Sequence, residues 1–71
     1  MAPVTKGRQV MKALEKAGWR RVRQTGSHVQ MRRGSRLATF SYHASVELGQ
    51  TQLRFVAKKF GLSLEDLKRL L

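Results

Sequence analysis

The period of the hydrophobic pattern changes twice along this chain, and the two changes leave few folds open. Val10, Met11, Leu14 and Ala17 recur at helical spacing, with Lys6, Arg8, Lys12, Glu15 and Lys16 around the rest of the barrel. Thr5 offers a capping hydroxyl and Gly18 a left-handed stop, which predicts a first helix over residues 6–17. From Trp19 the pattern alternates instead. Val22 is the apolar member of its stretch, Thr25-Gly26-Ser27 supplies a turn, and Val29 and Met31 then alternate with His28, Gln30 and Arg32. After a second turn at Arg33-Gly34-Ser35, Ala38, Phe40 and Tyr42 share one face, opposite Leu37, Thr39 and Ser41. Helical spacing returns with Leu53, Val56, Ala57 and Phe60, between a cap at Thr51 and a stop at Gly61. A last short helix opens at Ser63, with Asp66 as the acidic half of a capping box and Leu64, Leu67, Leu70 and Leu71 on its apolar side. Met1 to Val4 reads as a loose end.

Three short strands joined by tight turns make an antiparallel meander. The predicted class is therefore α+β, in the order α-β-β-β-α with a short C-terminal helix. One face of the sheet (Val22, Val29, Met31, Ala38, Phe40) is apolar and the other basic and hydroxylic, so helices should cover only the first. Two helices on one face of three strands describe a domain like those that bind double-stranded RNA. Phe40, Phe55 and Phe60 all fall on core stripes. Trp19 follows a helix stop, where packing is the commoner role, although an aromatic there can also stack on an unpaired base. The whole chain, residues 1–71, is expected to be a single domain.

Composition narrows the function. No cysteine is present, which removes a disulfide framework and thiol chemistry. No apolar run approaches a membrane span and the N-terminus carries no signal-like apolar segment, so a cytoplasmic protein is expected. The net charge is +11, from 15 Lys and Arg against 4 Asp and Glu. Self-repulsion on that scale points to a polyanionic partner, and nucleic acid is the usual one. The basic residues concentrate at Arg20, Arg21, Arg23, Arg32, Arg33 and Arg36, and a guanidinium fork suits phosphate. Lys58 and Lys59 on the second helix either grip phosphates or form a solvated face.

Only two histidines, His28 and His43, supply a proton-transfer group near neutrality. His28 opens a strand directly after the Gly26-Ser27 turn, on the polar face, between Arg23 and Arg32. There it can take the proton of an RNA 2′-hydroxyl attacking the adjacent phosphate, while arginines stabilise the charge that builds up. On spacing alone an ordinary surface histidine is the commoner reading. Protonation of the leaving 5′-oxygen is open among His43, Tyr42 and water; Gly26 and Ser27 are further candidate assistants. A metal site is not expected, because the two histidines lack cysteine or carboxylate company.

Two strings are more specific. Leu14-Glu15-Lys16-Ala17-Gly18-Trp19 and Arg23-Gln24-Thr25-Gly26-Ser27-His28 resemble the start of the HicA family of toxin–antitoxin mRNA interferases. The likeness continues through Val29 to Arg32, His43 and Leu53 to Leu62. It implies a ribonuclease that cuts mRNA without a metal or other cofactor, a catalytic histidine at His28, and inhibition by a HicB-type antitoxin protein. Two positions depart from the family pattern: Ser41 replaces a proline two residues before the second histidine, and Thr51-Gln52-Leu53 replaces Gly-Thr-Leu, with a glycine displaced to Gly49. RNA binding is expected at Arg20, Arg23, Arg32, Lys58 and Lys59. The rival from another class is a noncatalytic module that binds double-stranded RNA by shape and needs no exposed histidine.

Overall fold

The computed structural model describes residues 5–71. Met1 to Val4, expected as a loose end, lie outside the described residues. The elements follow the predicted order: α1 (Gly7–Lys16), β1 (Arg20–Thr25), β2 (His28–Arg33), β3 (Arg36–Ser41), α2 (Gln50–Lys59) and α3 (Leu64–Leu70). The three strands form one antiparallel sheet in the order β1-β2-β3. Sequence and structure agree on an α+β fold with its helices on one face, the arrangement of a double-stranded-RNA-binding domain.

The core lies between that face and the helices. Val29, Met31 and Phe40 from the sheet meet Val10, Met11 and Leu14 of α1, and Leu53 and Ala57 of α2 with Phe60 just beyond it. Trp19 is buried and packs edge-on against Phe60, with ring centroids 4.8 Å apart, so packing rather than base stacking is its role. α3 adds Leu67 to the core, while Leu71 is exposed. The Lys16 ammonium donates to the Leu70 carbonyl at 3.3 Å, tying α3 to the end of α1.

Four sequence expectations need correction. Val22 does not join the core: β1 bulges between Arg21 and Arg23, and Val22 is half exposed. A bulge places two residues opposite one, so the alternation that assigned Val22 inward breaks there. Phe55 is 69% exposed, because the buried stripe of α2 runs through Leu53 and Ala57 and leaves Phe55 outside it. The caps at Thr5 and Thr51 lie elsewhere, on Lys6 and Gly49. In each case a glutamine three residues on reaches back: Gln9 Oε1 accepts from the Lys6 amide at 2.7 Å, and Gln52 Oε1 from the Gly49 amide at 2.9 Å. The displaced Gly49 is thus the start signal of α2. Ser63 does cap α3, its hydroxyl accepting from the Asp66 amide at 3.0 Å.

Candidate nucleic-acid cleavage site

Strand register builds the site. Residues directly opposite in an antiparallel pair share a face. His28, Gln30 and Arg32 of β2 therefore share the uncovered face with Thr25, Arg23 and Arg20 of β1, and with Ser41, Thr39 and Leu37 of β3. The bulge at Val22 is what puts both Arg20 and Arg23 there, because it restores the facing of Arg20 after Arg21 has turned inward to lie opposite Met31. Arg21 is spent on structure: its Nε lies 3.5 Å from a Glu15 carboxylate oxygen, and its guanidinium covers the Tyr42 ring at 5.5 Å. Tyr42 is half-buried beside Phe40, away from the open face.

His28 is exposed at the start of β2. Gly26, at φ 58, makes the left-handed turn that delivers it, and a side chain there would be strained. The half-buried Ser27 contributes its carbonyl, which accepts from the Tyr42 amide at 2.7 Å. That bond makes Ser27 and Tyr42 a hydrogen-bonded pair. By alternation His28 and Ser41 form a non-hydrogen-bonded pair, in which side chains stand closer, with Cβ atoms about 5 Å apart.

Ser41 is the residue that sequence reasoning passed over. Its hydroxyl lies 3.4 Å from Nε2 of His43, and its strand position is opposite His28. One serine thus stands between the two histidines at one end of the sheet. The loop bearing His43 is held by α1: the Gly7 amide donates to the Val46 carbonyl at 3.0 Å, and the Arg8 amide to the Ala44 carbonyl at 3.1 Å. A side chain on Gly7 would collide with the His43 carbonyl, which explains a glycine at the first helical position.

The remaining cations divide. Lys58 and Lys59 project from α2, in the layer behind the sheet, and do not join the face that carries His28. Lys59 instead lines a groove of about 330 Å³ between β3, α2 and the His43 loop, shared with Thr39, Ser41, His43 and Phe55. Among the described residues no three His, Asp or Glu side chains gather as a ligand set.

The open face thus carries Arg20, Arg23 and Arg32 with exposed His28, and Ser41 opposite His28 lies near His43. Neither a curated protein nor a solved structure matches the chain. A family model, described as the HicA toxin of bacterial toxin–antitoxin systems, matches residues 7–62. That span runs from the glycine that seats the His43 loop, through the sheet, to the end of α2, and a toxin of such a system has an antitoxin as its partner. The chain belongs to the HicA toxin family.

Proposed function

We propose that this toxin is a cytoplasmic endoribonuclease that cuts single-stranded mRNA on the open face of its sheet. The observation that carries the reading is the placement of exposed His28 among Arg20, Arg23 and Arg32 on that face, with Ser41 and His43 beside it. His28 takes the proton from a 2′-hydroxyl as its oxygen forms a bond to the adjacent phosphorus. His43, held by Ser41, gives a proton to the 5′-oxygen as the phosphorus–oxygen bond breaks. The products are a 2′,3′-cyclic phosphate and a free 5′-hydroxyl, and the step needs no added metal. The arginines hold the phosphate and offset the charge that builds on its oxygens. The partner antitoxin, of the HicB type in this reading, covers the same face.

The test is cleavage of purified mRNA in EDTA by the parent chain and by His28→Ala. General acid–base catalysis contributes about 10²- to 10⁴-fold, so the variant should lose roughly that factor. Equal cutting by the two chains would refute the role of His28. Intact RNA together with tight duplex binding would instead identify a shape-reading, noncatalytic module.

A further inference from the structure

The groove beside β3 also carries side chains that the cleavage chemistry does not use. Phe55 forms one wall and is 69% exposed, a large aromatic surface that the core does not cover. Ser41 and His43 line the same groove, so its inner end is continuous with the proposed cleavage site. Around it stand Lys59, Glu47 and Gln52. The Gln52 carbonyl oxygen is engaged at the start of α2, which leaves its amide NH₂ as a donor. Glu47 offers an acceptor, and its charge disfavours a phosphate while suiting an exocyclic amine. The volume, about 330 Å³, is at the small end for small-molecule sites and too small for the row of side chains on a peptide strand.

We propose that this groove receives one unpaired nucleobase of the RNA, next to the phosphate that is cut, and stacks it on Phe55. Unpaired bases are read by stacking on aromatic rings and by hydrogen bonds along their edges. Here Phe55 supplies the ring, with Glu47 and Gln52 as acceptor and donor. Lys59 carries a positive charge at the same groove, where it meets the RNA backbone. The proposal rests on the ribonuclease reading for the identity of the ligand, and it makes α2 the determinant of where the chain cuts.

The experiment uses the full chain and a single-stranded RNA decamer, 2′-O-methylated so that it cannot be cut, with 2-aminopurine at each position in turn. Stacking quenches that base. The parent should quench it at one position of the bound decamer, and Phe55→Ala should restore the fluorescence of the free RNA at saturating protein. The same substitution should weaken binding by about fivefold to a hundredfold. Phe55→Tyr should bring both effects back. Because Phe55 is exposed, circular dichroism should find the variants folded like the parent. On cleavable mRNA, mapped cut sites should spread to more sequences in Phe55→Ala. Absence of quenching by the parent, or quenching equal in parent and Phe55→Ala, overturns the proposal, and binding of the antitoxin through this groove with RNA binding unchanged overturns it equally. Failure of the ribonuclease reading shows separately, as natural RNA cut no faster by the parent than by His28→Ala.

Discussion

At the scale of single residues, Ser41 is the side chain that links the strand position of His28 with the loop histidine His43. Ser41 lies opposite His28 and within 3.4 Å of His43 Nε2, and the proposed mechanism gives the two histidines different tasks on one phosphate. The division can be tested through the leaving group. With ordinary RNA, His43→Ala should slow cleavage by about 10²- to 10⁴-fold. With sulfur in place of the bridging 5′-oxygen, the leaving group needs no proton, and His43→Ala should cut as fast as the parent. His28→Ala should be slow on both. A His43→Ala defect that persists on the sulfur substrate would remove the acid role from His43. His28 was legible in the sequence because a Gly-Ser turn before an alternating strand exposes the first strand residue. Ser41 was not, since its importance comes from the strand opposite it and from a loop that folds back.

At the scale of elements, α1 does more than bury apolar surface. Its first residue, Gly7, has no room for a β-carbon against the His43 carbonyl, and its amide and that of Arg8 hold the loop by hydrogen bonds. Gly7→Ala should push the loop away, cost about 1–3 kcal/mol of stability by overpacking, and slow cleavage through the displacement of His43. Thermal unfolding and cleavage rates together check this; a variant as stable and as active as the parent would show that the loop moves freely. β1 makes a related point. Its bulge leaves Val22 half exposed and turns Arg20, Arg23 and Thr25 to one face, a facing that unbroken alternation cannot give. On α2 the buried stripe is narrow, and Phe55 falls beyond its edge. Helical spacing placed Leu53, Ala57 and Phe60 correctly but gave no measure of how far the core reaches around the helix.

At the scale of the whole molecule, the basic residues behind a net charge of +11 on 71 residues are spread over both the sheet and the helices. Three arginines face the open side of the sheet, whereas Lys58 and Lys59 stand on the helical layer. For single-stranded nucleic acid, each neutralised phosphate contributes about 0.7 to the slope of log affinity against log salt. Replacing Arg20, Arg23 and Arg32 one at a time should therefore lower that slope by about 0.7 each, while Lys58→Ala should change it less. Binding isotherms across a salt series measure both. Equal losses for the arginines and Lys58 would carry the RNA backbone onto the Lys58 side of α2 as well, beyond the sheet face and the adjoining groove.

The sequence by itself determined the element order, the uncovered face, the glycine stops and the exposure of His28. These follow from hydrophobic period, turn chemistry and the conformational freedom of glycine, all local properties. Tertiary structure alone decided that β1 bulges, that Gly49 begins α2, that Phe55 stands clear of the core, and that Ser41 pairs with His28 across the strands while its hydroxyl meets His43. Each of those depends on residues far apart in the chain meeting across strands or a loop, where register and available space, rather than local preference, set the geometry.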